Sequence, residues 1–243
     1  IRKEAESCDS LQGFQLTHSL GGDLGSGLGS LILKELQDEY PDKVRSTFSI
    51  IPSEKVSDSI IEPYNCILSL NQMIQSTNTI FYYDNEYLFE HCFKKLHLTT
   101  PTYGDLNYTA ISNMIGATTS LRYPNLINSD LRKMSINLIP LPRFNFLTSF
   151  FAPCYSRGST HCHNYKSDEL ISILFNDKEK SFLAASVVFR GRMNFENIMK
   201  EMNNINFEIL YADIKTSLCL ESTLCISRSA TLIENSTNIC KIL

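Results

Sequence analysis

Between Ser19 and Gly29 the sequence reads SLGGDLGSGLG, which puts five of the chain's ten glycines into eleven residues. So many missing side chains weaken any strand or helix interior, because glycine loses more backbone entropy on ordering than other residues. The flanks say what the segment joins. Gly13–His18 (GFQLTH) reads as a short strand, and Leu28, Leu31, Ile32 and Leu36 recur at helical spacing until Pro41 closes the pattern. The segment is therefore the turn of a strand–turn–helix unit. Glycines there permit positive φ and let a ligand reach main-chain N–H groups without meeting a Cβ. The helix that follows adds unpaired first-turn N–H groups and its positive end. Together they form an anion cradle suited to phosphates; the plainer alternative is a tight turn that serves only the fold.

The same alternation continues. Thr47–Ile51 reads as a strand, Tyr64–Thr77 as a helix carrying Ile67, Leu70 and Ile74, Ile80–Tyr83 as a strand and Glu86–Leu96 as a helix. Such repetition predicts an α/β fold, a Rossmann-like parallel sheet under helices, with ligands beyond the carboxyl ends of the strands. Leu106, Ala110, Ile111, Met114, Ala117 and Leu121 then place an apolar stripe on one helix of about five turns. Past Arg122 the texture changes. Phe144, Phe146, Phe150 and Phe151 alternate along an extended segment, and Phe182–Arg190, Ile214–Leu220 and Ser229–Ile233 also read as strands. The chain accordingly divides into an α/β part (1–102), a core helix (103–121) and a β-rich α+β part (122–243).

Composition removes several functions. A formal net charge of −4 argues against a polyanion-binding surface over the whole chain, so no nucleic-acid partner is expected. No apolar run approaches the roughly 18 residues that span a bilayer, so no membrane partner is expected either. The opening IRKEAESCDS has neither an export signal nor an initiator Met and reads as an internal start. Eight cysteines without a C-x-x-C pair read as reduced thiols of a cytosolic protein. Cys154, His161, Cys162 and His163 lie close together, but adjacent ligands diverge, and a polar loop is the preferred reading over a metal site. No G-x-x-x-x-G-K-[ST] motif is present, and a dinucleotide fingerprint begun at Gly25 and Gly27 meets Ser30 where a third glycine is needed. A nicotinamide-type oxidoreductase is thus only a remote alternative.

GGDLGSG at Gly21–Gly27 is similar to the GGGTGSG phosphate loop of the tubulin family. RKEAESCDSLQGFQLTHSLGG (Arg2–Gly22), EYPDKV, KVSDS, EPYN, TTPTYGDLN, DLRK, FRGRM and SATLIENST resemble β-tubulin in order and at nearly its spacing. The resemblance runs the length of the chain, with shortened loops near Lys178–Ser181 and Asn204–Glu208. It implies a tubulin-like fold: the C-terminal part of a GTP-binding domain, the core helix and an intermediate domain. The family's first phosphate loop, its metal-contacting acid, its C-terminal helices and its acidic tail have no counterpart here, so the chain reads as a fragment or a processed product.

The resemblance also implies roles. Ser19, Gly21, Gly22, Gly25, Ser26 and Gly27 would donate to the phosphates of GTP, with Asp23 and Leu24 in the same loop. Val56, Asp58 and Glu62 would lie at the ribose. Asn85 and Asn107 would read guanine, and Tyr103 would stack on it. Asp23 and Leu24 replace a glycine and a threonine, which adds a carboxylate beside the phosphates and removes a hydroxyl donor. Mg²⁺ is implied, with its main ligand expected upstream. Lys133 falls where α-tubulin has a hydrolytic glutamate. It would meet a partner's nucleotide, the acid coming from α-tubulin, and no catalytic base is assigned in this chain; an ordinary surface lysine is the alternative. Phe151–Ser167 resembles the loop that touches neighbouring β-subunits. There His161 and His163 would add sensitivity near pH 6.5, although drift in a surface loop is the preferred reading. The implied function is a structural GTP-binding subunit of microtubules, a cytoskeletal protein of the cytoplasm that pairs head-to-tail with α-tubulin. The alternative is a non-polymerising relative acting as a binding module.

Overall fold

Three neighbouring strands set the architecture, and they pair parallel and in register. Strand β1 (Gly13–Ser19) pairs with β2 (Val44–Ile51), and β2 pairs with β3 (Thr79–Asp84). These come from a computed structural model, which describes residues 1–53, 59–123, 127–141, 143–158, 164–175, 181–203, 208–209, 214–222 and 226–236. Strand β4 (Phe146–Ala152) continues the parallel set beside β3. Beyond it come β5 (Ser181–Gly191), β6 (Glu208–Ile209), β7 (Lys215–Cys219) and β8 (Arg228–Ser236). β8 lies antiparallel between β4 and β5, while β6 and β7 pair parallel with successive stretches of the other side of β5. The result is one eight-stranded sheet with β1 at its end.

Helices cover both faces. They are α1 (Arg2–Glu6), α2 (Gly29–Glu39), α3 (Glu62–Ser76), α4 (Asn85–Lys94), α5 (Tyr103–Ala117), α6 (Thr119–Arg122), α7 (Leu131–Leu138), α8 (Ser167–Leu174) and α9 (Phe195–Asn203). Alternation along β3 divides the core. Ile80 and Tyr82 join Leu33, Leu70 and Met73 of α2 and α3 on one face. Phe81 and Tyr83 join Leu88, Leu106, Met134 and Leu138 of α4, α5 and α7 on the other. Strands buried on both faces suit a parallel sheet. A third cluster packs Leu170 and Ile198 of α8 and α9 over Val187, Phe189 and Leu232. The mixed α/β architecture predicted from the sequence is the one observed.

Several local expectations are corrected. The five-turn helix is shorter, because α5 ends at Ala117 and α6 starts afresh at Thr119. The backbone leaves the helical range at Thr118, whose ψ is 2°, while the Thr118 hydroxyl donates to the carbonyl of Met114 and that of Thr119 to the carbonyl of Ile115. On α2 the buried stripe is Gly29, Leu33 and Leu36, whereas Leu28 and Leu31 face out. Both sets have helical spacing, and the small Gly29 faces inward because it must pass the His18 ring. On α3, likewise, Ile67 is exposed and Cys66, Leu70 and Met73 are buried. The phenylalanines near β4 do not alternate: Phe144 precedes the strand and is exposed, whereas Phe146 and Phe151 are both buried. Among the described residues no helix is long and apolar enough to cross a membrane.

Candidate functional site

The register brings the carboxyl ends of three strands to one rim. Ser19 lies beside Ile50, and Ile51 beside Asp84, so the segments after β1, β2 and β3 leave the sheet together. From β1 the chain passes through Leu20–Gly22 into a π-helical turn, Leu24–Leu28, that runs directly into α2. Leu20 anchors the turn, fully buried, with its N–H bonded to the Ile50 carbonyl. Ser26 is also buried; its N–H and its hydroxyl both donate to the carbonyl of Gly22, at 2.9 Å each. That closes the first helical turn. The N–H groups of Asp23, Leu24 and Gly25 then stand in the first turn, where no upstream carbonyl can serve them.

The glycines work by close approach and not by the positive φ expected of them. Among the described residues positive φ at glycine occurs only at Gly158 and Gly191, both outside the loop. A Cβ on Gly25 would run into the carbonyl oxygen of Ser19. One on Gly29 would come within 2.8 Å of the His18 Nδ1, and one on Gly21 within 3.0 Å of the Glu62 Oε2. Gly22 and Gly27 face open space, with nothing within 4 Å of such an atom. Three glycines thus compact the loop, and two leave it open to a visitor.

Two residues that hold the loop were not singled out from the sequence. His18 on β1 is half-buried, with Nδ1 2.7 Å from the Gly25 carbonyl and Nε2 2.9 Å from the Ser49 hydroxyl. A carbonyl only accepts, so Nδ1 carries the proton and Nε2 takes the hydrogen of Ser49. Burial holds His18 below the usual histidine range, and the Gly25 carbonyl opposes that shift. Asn65, in the first turn of α3, donates through Nδ2 to the Gly21 carbonyl and to the Asp23 Oδ1, both at 3.1 Å. Its place three residues after Glu62 in EPYN was the available signal.

The remaining sequence-derived residues divide by position. Glu62 opens α3, half-buried against Gly21. Asn85 is the first residue of α4, directly after β3, so it shares the rim with the glycine loop. Asp84 caps that helix by accepting from the Glu86 N–H at 2.9 Å, and burial pushes its carboxyl up. Tyr103 and Asn107, one turn apart on α5, are both exposed. Lys133 lies elsewhere, on α7, paired with Asp130 at 3.2 Å. Asp130 in turn accepts from Gln12 at 3.4 Å, the residue that precedes β1. Lys133 therefore sits toward the amino ends of the strands, about 20 Å along β1 from the loop. Val56, Asp58, His161, Cys162 and His163 lie outside the described residues. Cys154 donates its thiol hydrogen to the Phe151 carbonyl, and among the described residues no group of three or more His, Cys, Asp or Glu is placed to hold a metal ion.

A cavity of about 450 Å³ lies between α4, α5, α8 and the end of β4, lined by Tyr87, His91, Asn113, Phe151 and Cys154 among others. No residue of the glycine loop lines it. The loop itself is an open cradle, the form expected where main-chain N–H groups meet a phosphate at the surface.

A Rossmann-type parallel sheet carrying a glycine loop and a helix start at its carboxyl rim is the arrangement in which α/β domains hold phosphates. Residues 1–93 match the family model described as Tubulin/FtsZ family, GTPase domain. The match holds β1, the glycine loop, α2, β2, α3, β3 and most of α4, so this stretch of the chain is similar to that family's GTPase domain.

Proposed function

We propose that the chain is a guanosine-nucleotide-binding subunit of the β-tubulin type that associates head-to-tail with an α-tubulin-like partner. One arrangement carries the reading: the phosphate loop, Glu62 and Asn85 share the carboxyl rim of the sheet, while Lys133 lies toward the opposite rim. A subunit built so can offer its own nucleotide at one end and a cation to a neighbour's phosphates at the other. Stacking then repeats a heterologous contact, the geometry that yields filaments.

The loop residues fit a nucleotide tail. First-turn N–H groups of Asp23, Leu24 and Gly25 supply donors, the space beside Gly22 and Gly27 admits oxygens, and exposed Ser19 adds a hydroxyl. Glu62 can accept from sugar hydroxyls. The amides of Asn85 and Asn107 can meet both the donor and the acceptor edge of guanine, and Tyr103 can stack on the base, a contact worth about 1–3 kcal/mol. In this reading residues 1–102, 103–121 and 122–243 are the nucleotide domain, core helix and intermediate domain, and the Phe151–Ser167 loop makes the lateral contact. Bound Mg²⁺ would offset phosphate charge.

Titration calorimetry with GTP, GDP and ATP tests the nucleotide part, and a guanine preference of tenfold or more is expected. Co-sedimentation with α-tubulin in GTP tests the assembly part. Binding without co-sedimentation would select the non-polymerising alternative, which the Asp23 carboxylate in the loop favours; no guanine preference overturns the reading.

A further inference from the structure

The glycine loop carries negative charge of its own. Asp23 occupies the first turn after Gly22, yet its side chain makes no capping bond to that turn. It is turned to α3, where Asn65 Nδ2 holds its Oδ1 at 3.1 Å and fastens the Gly21 carbonyl at the same distance. Glu62 brings a second carboxylate against Gly21. Among the described residues no salt bridge reaches either acid. The first turn of the helix thus carries an anion that the chain itself supplies, held beside α3 by an amide.

We propose that Asp23, positioned by Asn65, is a built-in competitor of the phosphates and sets the loop's preference by phosphate charge: without divalent cations it favours GDP over GTP. This rests on the guanine-nucleotide reading above. Each added phosphate charge meets the same fixed carboxylates, so repulsion grows along the series from monophosphate to triphosphate. Across a separation of roughly 7 Å, at a dielectric between those of water and a protein surface, one unit charge changes affinity about tenfold.

The variant Asp23→Asn keeps an oxygen for Asn65 to donate to and removes only the charge. Calorimetry of the full chain and the variant in EDTA, at low and at high salt, with GDP and GTP, tests the proposal. GTP affinity is expected to rise about tenfold in Asp23→Asn and GDP affinity less, with the gain shrinking at high salt as screening shortens the field. The melting temperature, read in parallel, should stay unchanged. Equal gains for both nucleotides, or none, overturn the proposal while leaving the guanine-nucleotide reading intact. Failure of wild type and variant alike to bind either nucleotide overturns both.

Discussion

Gly25 and Gly22 separate what the loop needs in order to fold from what the proposed nucleotide site needs in order to stay open. A methyl at position 25 meets the Ser19 carbonyl, so Gly25→Ala should destabilise the protein by about 1–3 kcal/mol, read as a lower urea midpoint. Gly22→Ala projects into open space and should leave that midpoint unchanged, while nucleotide affinity falls at least threefold in calorimetry. His18 adds a pH dependence. Its folded value lies below the ordinary one, so the native state binds fewer protons than the unfolded chain as pH falls. The neutral ring's contribution is complete above about pH 6.5 and is lost as pH drops from there through the lower folded value. Thermal melts between pH 8 and 5 should show this decline, reduced in His18→Gln. His91, also lowered by burial with Lys95 adding to it, contributes in the same direction, so His91→Gln is the companion variant. The glycine loop could be read from sequence because its composition is extreme. His18 and Asn65 are harder to read: the second anchor of His18, the Ser49 hydroxyl, lies 31 residues on, and Asn65, marked only by its place in EPYN, reaches 44 residues back to the Gly21 carbonyl.

At the level of elements, α5 shows how small side chains let a helix seat on a sheet. Gly116 lies where a Cβ would press on Thr231 of β8 and come within 3.1 Å of the Phe151 ring of β4. Nearby, Asn113 accepts from the Phe151 N–H at 2.9 Å through its side chain. Gly116→Val should therefore lift the helix from the seam between β4 and β8 and cost about 2–3 kcal/mol, measured by denaturant unfolding. The expected apolar stripe identified α5 as a helix but overran its end. The backbone leaves the helical range at Thr118, and the hydrophobic spacing, which runs on to Leu121, carries no sign of it. The exposed Leu28, Leu31 and Ile67 teach the same point from the other side, for two interleaved sets of residues satisfy one period and only the partner surface chooses between them.

Across the whole molecule, the division read near residue 122 has no break in the sheet to match it, because β4 pairs with β3 on one side and β8 on the other. Arg190 helps to hold the second half together. It is buried, its guanidinium lies over the Tyr123 ring at 5.1 Å, and it donates to the carbonyls of Glu221 and Ser222. Arg190→Met keeps much of the packing but strips those carbonyls of their donor. A loss of about 1–3 kcal/mol is expected, seen as a lower melting temperature. Strand β1, seven residues long, closes the other end of the sheet. Among the described residues it has β2 on one flank and no strand on the other. A flank of that kind presents a ladder of main-chain donors and acceptors that any extended peptide can zip onto. Whatever shields that border is therefore a direct control on self-association through the sheet, separate from the packing of the interior.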